Sequence, residues 1–397
     1  MNILIYPAGT EIGLEIARSL RHQKRINVFA ANSEDDFSKF VHDKVHFCPS
    51  IYDGAEDVLR QLVIDLAIDY IYPAHDEVVY RLSQTDLPIL SSPVETVNVC
   101  RFKSNTYKLF PEYSPKVFSP DNKKGAILFP VFCKPDNGQG SRGTWKAENF
   151  TQLVEKWNGE LILEYLTGKE YTIDCFTDKT GELTMHQRER VTVKNGISVE
   201  GARVNISDLK KMGESINCAL EFRGAWFFQA KEHNGKIYLM EIAPRPAGCS
   251  CLTRVSGYNM PLLTVYDRMT DVQLIPTPGI SRVRRSLQSK YVFTHKFREV
   301  NIDLDDTLCP EIIGLLLRLK AAGKKLNLIT RNQYPSDALR SMHIVPTLFD
   351  RIIIAELPKS HYIKGGIFID DSFAERKEVY DAKGIPCFDV QQAIEVL

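Results

Sequence analysis

The stretch Asn301-Ile302-Asp303-Leu304-Asp305-Asp306-Thr307-Leu308 sets carboxylates at the end of an apolar run. In extended chain, side chains two residues apart share a face, so Asp303 and Asp305 are expected to enter one site together. One carboxylate can attack a phosphoryl group and carry it as an aspartyl phosphate. The other can protonate the leaving oxygen and then activate water. Adjacent carboxylates repel each other, so the pair requires a cation, and oxygen ligands suit magnesium. Later runs supply the rest. Thr330 ends Leu328-Ile329-Thr330 with a hydroxyl for a phosphate oxygen, and Lys359 follows Ile352-Ile353-Ile354 with a compensating charge. Asp370 and Asp371 close Ile367-Phe368-Ile369 with further metal oxygens. All fall at the carboxyl ends of candidate parallel strands, where sites on such sheets lie. A single Asp-x-Asp is more often a solvated acidic turn; four groups in order make a phosphate site the stronger reading.

A second group lies upstream. Phe129-Pro130-Val131-Phe132-Cys133-Lys134-Pro135 is an apolar strand ending at a lysine, followed by Asp136-Asn137-Gly138-Gln139-Gly140-Ser141-Arg142-Gly143-Thr144. Glycines let backbone N–H groups close on phosphate oxygens, which makes such a loop an anion nest. Lys134 adds a point charge and Arg142 a planar fork. No Gly-Lys-Ser/Thr closes the loop, so it is not a Walker loop. Backbone groups around Glu164, Tyr165 and Leu166 suit an adenine edge, and Glu170 suits ribose hydroxyls. Arg188 and Arg190 flank Glu189 on a strand and face one side, within a segment expected to shape an acid pocket (residues 186–205, with 75–100). Gln229 and Glu241 meet through a hairpin at Asn234-Gly235, two oxygen ligands for magnesium with Arg245 beside them. Taken singly, each piece reads equally well as a glycine-rich surface loop.

These groups need a scaffold of strands and helices. Ile3–Tyr6, Ile26–Ala30, Lys44–Cys48 and Tyr70–Tyr72 are candidate strands, with a helix over Glu11–Leu20. Their alternation implies a parallel, doubly wound sheet over residues 1–100. Gly9 and Gly13 stand on its first strand-to-helix turn, but the G-x-G-x-x-G fingerprint is missing. The glycines read as a close strand–helix contact rather than a nicotinamide site. From 101 to 285 the strands Leu161–Tyr165, Tyr171–Phe176, Ala225–Glu232 and Lys236–Ile242 imply an α+β domain with antiparallel sheets. Residues 286–297 are basic and polar and read as a linker. From 298 to 397 the α/β alternation returns, with strands at Val300–Leu304, Lys325–Ile329, Arg351–Ala355, Gly366–Ile369 and Pro386–Asp389 around a helix at Glu311–Ala322.

The bulk properties agree with several domains. The chain has 397 residues, 44% hydrophobic and 25% charged, with 50 basic and 50 acidic side chains. Zero net charge argues against a general nucleic-acid binder. No run is long and apolar enough to span a bilayer. The first residues lack a signal-peptide pattern and read as an immediate strand. Nine scattered cysteines suit a reduced, cytoplasmic setting. The Cys249-x-Cys251 pair reads as buried or incidental, since no second pair accompanies it.

The C-terminal motifs resemble the haloacid dehalogenase superfamily over about 100 residues. The resemblance implies Asp303 as nucleophile, Asp305 as acid/base, and Thr330 and Lys359 (rather than Lys364) at the phosphate. It sets Asp303, Asp305, Asp370 and Asp371 around magnesium, on a Rossmannoid fold. The short span from Asp303 to Thr330 leaves no room for a large cap, which implies an open site.

Residues 1–285 resemble the ATP-grasp superfamily, in particular its carbamoyl-phosphate-synthase-like carboxylate–amine ligases. That resemblance implies a Rossmann-like domain ahead of the ATP-grasp domain. It sets Lys103, Lys134, Gly138, Gly140, Ser141, Arg142 and Gly143 at the ATP phosphates. Glu164, Tyr165 and Leu166 form the adenine hinge, Glu170 takes the ribose, and Arg188 and Arg190 take substrate. Gln229 and Glu241 hold magnesium, with manganese as a substitute, and Arg245 steadies the transferred phosphate. The implied reaction activates a carboxylate with ATP and transfers the acyl group to an amine. Two departures stand out: Ala243 replaces the asparagine of Glu-x-Asn-Pro-Arg, and Gln229 is neutral where many relatives carry an acid. The expectation is therefore a bifunctional α/β and α+β enzyme acting on a small carboxylate, an amine and a phosphoester, with a homodimer left open. The alternative is an ATP-binding regulatory module attached to an active phosphatase. A phosphatase-like domain that only scaffolds is the third reading.

Overall fold

The computed structural model describes residues 1–34, 36–119, 127–271, 274–287, 289 and 291–397. It divides into two compact units, Met1–Ser286 and Leu287–Leu397. No helix among the described residues is long and apolar enough to cross a membrane.

Strands β1 (Asn2–Tyr6), β2 (Asn27–Asn32), β3 (His46–Phe47) and β4 (Tyr70–Pro73) form a parallel sheet in the order β3-β2-β1-β4. Consecutive residues Ile3, Leu4 and Ile5 are all fully buried, as a strand covered on both faces requires. Thr10 caps the following helix, its hydroxyl accepting from the Gly13 N–H at 2.9 Å. A Cβ on Gly13 would sit 2.6 Å from the Pro7 carbonyl, so only glycine lets this helix lie on its strand. A Cβ on Gly9 would meet the Asp36 carboxylate at 2.0 Å, so an acid fills the space over that turn.

The remainder of the first unit holds two antiparallel sheets. Strands β5 (Val117–Phe118), β6 (Val131–Lys134), β7 (Trp145–Ala147) and β8 (Leu161–Glu164) run in the order β5-β8-β6-β7. Strands β9 (Glu170–Thr177), β10 (Leu183–Lys194), β11 (Ile197–Arg203), β12 (Gly224–His233), β13 (Lys236–Ala243) and β14 (Arg282–Arg284) run in the order β13-β12-β9-β10-β11-β14. Asn234 and Gly235 both take positive φ, 50° and 76°, as a two-residue β12–β13 turn demands. One face of the larger sheet buries Ile173, Trp226 and Phe228 against Leu209, Met212 and Ile216 of the helix Ser207–Ala219. Side chains alternate across a strand, so their neighbours Thr172, Asp174, Phe227 and Gln229 are left for the opposite face.

The expected boundary near residue 100 does not separate compact units. Arg245 reaches back to Asp76, Arg254 to Glu15 at 2.7 Å, and Thr96 to the Glu221 carbonyl at 2.9 Å. These contacts span more than 100 residues and tie the parallel sheet to the antiparallel ones.

The second unit is a five-stranded parallel sheet: β15 (Glu299–Ile302), β16 (Lys325–Thr330), β17 (Arg351–Ile354), β18 (Ile367–Ile369) and β19 (Cys387–Phe388), ordered β17-β16-β15-β18-β19. The chain runs outward from β15 in one direction and returns on its other side, so a topological switch point lies between β15 and β18. Between β15 and β16 the regular structure is the helix Pro310–Ala321. The two units divide at the start of the 286–297 segment, expected as a linker, and the end of that segment packs onto the second unit. Phe293 packs edge-on against Phe388 at 5.4 Å, and Phe293 and Phe297 both join the second unit's core. Phe293 and Phe297 seat the end of this stretch on apolar cover (residues 288 and 290 of it lie outside the described residues).

Candidate active sites

A cleft of about 160 Å³ in the first unit draws its walls from both antiparallel sheets. The Lys134 ammonium, at the end of β6, donates to the Met240 carbonyl at 3.0 Å. Met240 is the extra residue of a bulge, since Gln229 pairs with Glu241 while Ala230 pairs with Leu239. Lys103 starts the helix Lys103–Leu109 and donates to the Gly138 carbonyl at 2.6 Å. Among the described residues neither lysine forms an ion pair. Gly140, Ser141 and Gly143 hold φ of +58°, +58° and +70°, which curls the loop as an anion nest requires. Glu164, Tyr165 and Leu166 line the same cleft. Glu170 accepts from Lys231 at 2.9 Å and from Arg190 at 3.3 Å.

Gln229 and Glu241 lie directly opposite each other across β12 and β13. Gln229 Oε1 also accepts from Arg190 Nη1 at 3.0 Å. Ala243, two residues along β13, pairs with Phe227 and offers no side-chain oxygen. Two unpaired lysines, a glycine loop and two facing oxygen donors match the chemistry of a nucleotide triphosphate with one divalent cation. Lys103, Lys134 and the loop would hold the phosphates; Gln229 and Glu241 would hold the metal.

Lys134 carries a pH signature. Burial pulls its pKa down to about 7, the Lys103 charge adds to the fall, and Glu241 opposes it. The unfolded chain keeps this proton to about pH 10.4, so between 7 and 10 it binds more protons than the folded one. Stability therefore gains from Lys134 as pH rises through that window. An anion at the ammonium restores its proton, so nucleotide binding at pH 8 is expected to take up a proton and weaken as pH rises. Calorimetry in buffers of different ionisation enthalpy measures this, and zero uptake would remove Lys134 from the phosphate site.

A row of paired residues crosses the larger sheet: Glu241, Gln229, Thr172 and Arg188, on β13, β12, β9 and β10. Arg188 is buried and pairs with Asp174, Nε to Oδ2 at 2.9 Å and Nη2 to Oδ1 at 3.5 Å. Its Nη1 is buried with no partner among the described residues. An unmatched buried donor of this kind costs about 1–3 kcal/mol. Arg190 is spent on Glu170, Gln229 and the Gly196 carbonyl. Arg245, placed by the sequence at the transferred phosphate, is held by Asp76 through Nε and Nη2, both at 2.6 Å. Burial alone pushes the Asp76 carboxyl up, but Arg245 overrides it and holds it below the ordinary range.

In the second unit Asp303, Asp370 and Asp371 each offer an oxygen within 4.8 Å of the others. Lys359 lies between two of them, 2.7 Å from Asp303 and 2.6 Å from Asp370, whereas Lys364 is exposed. Burial pushes the Asp303 carboxyl up to about 6; Lys359 pulls it down and Asp370 pushes it up. Thr330 is fully buried, its hydroxyl accepting from the Asn332 N–H. Asp305 departs from the expectation of a shared strand face. β15 ends at Ile302 and the chain turns, with Asp306 at φ 55°, so the Asp305 carboxylate is exposed and takes Asn332 Nδ2 at 3.0 Å. It lies outside the three-carboxylate group. Asp371 is tied in by Thr307, at 3.1 Å.

Asp76, Asp174 and the Met240 carbonyl were not singled out from sequence. Asp76 follows the Tyr70–Pro73 strand, a position where parallel sheets place functional groups, and that signal was available. Cys249 is a free, buried thiol that lines a second cavity continuous with the cleft.

Comparison with known proteins supports an ATP-grasp domain in the first unit. Residues 157–290 match a family model described as ATP-grasp in the biosynthetic pathway with Ter operon. Rhizobium etli pyruvate carboxylase aligns with a TM-score of 0.57 at 17% identity, over 67% of this chain and 28% of that one. The chain thus spans under a third of that enzyme. Staphylococcus aureus N5-carboxyaminoimidazole synthetase complexed with ADP aligns with a TM-score of 0.57 at 17% identity, over 69% of this chain and 79% of that one. The Thermotoga maritima N5-carboxyaminoimidazole ribonucleotide synthetase gives 0.54 at 16% identity, over 73% and 81%. At such identity these likenesses establish fold. No curated protein matches the sequence.

Proposed function

We propose that the first unit is an ATP-dependent carboxylate–amine ligase. The observation that carries this reading is the meeting of Lys103, Lys134, the 138–143 loop, Gln229 and Glu241 in one cleft. ATP supplies the phosphoryl group, with a magnesium ion screening its charge. Lys134 and the glycine loop hold the phosphate oxygens, and the acid's carboxylate is held in line for attack. The carboxylate oxygen attacks the γ-phosphorus and displaces ADP; an amine nitrogen then attacks the acyl carbon, expels phosphate and gives up a proton, leaving an amide. Positioning and charge screening supply most of the rate. Purified protein with ATP, magnesium and a panel of acids and amines is expected to release ADP only when both partners are present. No substrate-dependent ADP release from any pair would sink the ligase reading.

Ala243 favours a second reading, a nucleotide-binding regulatory module. Ala243→Asn adds a side-chain oxygen two residues along β13 from Glu241. On the ligase reading it is expected to raise ADP release by about fivefold, the equivalent of one kcal/mol of transition-state stabilisation. If turnover is absent in the native chain and appears only in the Ala243→Asn variant, the binding-only reading holds for the native protein.

For the second unit we propose a magnesium-dependent phosphatase of haloacid dehalogenase type. Asp303 Oδ2 attacks phosphorus, the ester oxygen leaves with a proton, and water then hydrolyses the aspartyl phosphate. Lys359 and Thr330 would hold phosphate oxygens, and Asp303, Asp370 and Asp371 would hold the cation. Asp305, exposed and held by Asn332 at 3.0 Å, would have to turn from that contact to give the leaving oxygen its proton.

A further inference from the structure

We propose that the acid substrate of the first unit carries a second carboxylate, seated on the free edge of Arg188. This rests on the ligase reading above and names the class of acid. The cavity holding Arg188 is lined by Phe227, Arg245 and Cys249, and shares Gln229, Glu241 and Arg190 with the nucleotide cleft. An acid lying in it therefore has its reacting end at the phosphate and its other end deeper in the unit.

The buried arginines of this cavity differ in what they have left to give. Arg245 is committed to Asp76 and the Pro246 carbonyl. Arg190 is committed to Glu170, Gln229 and Gly196. Arg188 uses one edge of its guanidinium on Asp174, which Thr253 also braces. Among the described residues its Nη1 stays unmatched although the side chain is only 2% exposed. Asp174 and Thr253 fix the plane of the fork, so the free edge points in a set direction. A planar carboxylate completes such an edge with two parallel N–H···O bonds.

The sheet also sets the length. Gln229 and Arg188 stand in one cross-strand row, separated by β9. Adjacent strands lie about 4.8 Å apart, so the two anchors are roughly 10 Å apart at the backbone. The guanidinium at one end, and the cation that Gln229 and Glu241 would hold at the other, would take up part of that gap. What remains fits an acid whose two carboxylates are separated by two to four carbons, a class that includes the short α-amino diacids.

The test compares acids on the full chain loaded with MgADP, using calorimetry or thermal shift. Succinate, glutarate and glutamate are set against butyrate and valerate. The expected result is that the diacids bind and the monoacids do not. Arg188→Lys keeps the charge but loses the fork, and is expected to weaken diacid binding by roughly ten- to a hundredfold while MgADP binding stays unchanged. Monoacids binding as tightly as diacids to the native chain would overturn the proposal and leave the ligase reading standing. This arm needs no variant, so it decides even if Arg188→Lys fails to fold. Unchanged diacid affinity in a folded Arg188→Lys protein would also overturn it. Failure of MgADP itself to bind would overturn the ligase reading and this proposal together.

Discussion

Asp303→Asn is expected to lower magnesium-dependent phosphomonoester hydrolysis by roughly 10³-fold or more, since loss of a nucleophile leaves only binding and charge effects. The fold should survive. Asp303 stands just past the end of β15, and its own N–H donates to the Ile369 carbonyl at 3.0 Å. Burial favours the uncharged form of its carboxyl, the form that the amide imitates. Lys359 keeps Asp370 as a charged partner at 2.6 Å. The variant is therefore a chemical deletion more than a structural one. Turnover of 4-nitrophenyl phosphate by the full chain, with melting temperature measured alongside, separates the two. Native rates in the variant would reject Asp303 as nucleophile and leave the second unit as a scaffold.

Lys134→Met should abolish function in the first unit while making the nucleotide-free protein more stable. The native lysine is buried beside Lys103, and both burial and that like charge disfavour its ammonium. Methionine has a similar length and no charge to desolvate, and the Met240 carbonyl it abandons still accepts from the Tyr107 hydroxyl at 2.8 Å. A higher melting temperature at pH 7 is expected, and the rise of stability with pH assigned to Lys134 should disappear. Nucleotide affinity should fall by roughly ten- to a hundredfold, the loss of a charged hydrogen bond to phosphate. ADP release should fall further, by about 10²–10³-fold, because that charge is needed most as the phosphoryl group transfers. A stabilised variant with native ADP affinity would show that the lysine does not meet the phosphates.

The features legible from sequence are local ones. The β12–β13 turn is written in Asn234-Gly235, because positive φ at two successive residues excludes most other pairs. The glycine loop after Lys134 and the acidic ends of β15 and β18 are similarly visible, since strand ends and glycines leave their marks within a few residues. Where local logic is extended too far it fails. Asp305 follows Asp303 by two residues, yet the strand stops at Ile302 and the alternation stops with it. The 286–297 segment looks like a linker by composition, yet Phe293 finds cover on Phe388, nearly 100 residues on.

What the sequence determined by itself is which groups exist and which strand ends carry them. Only the tertiary structure decided how each charge is spent. Arg188 and Arg190 read alike as two arginines on one face, but Asp174 leaves Arg188 one free edge while Glu170, Gln229 and Gly196 occupy Arg190. Arg245 reads as a phosphate ligand until Asp76, 169 residues earlier, is found holding its fork. The physical reason is that a buried charge is defined by its partners. Those partners are chosen by sheet order and bulge position, which no short stretch of chain encodes.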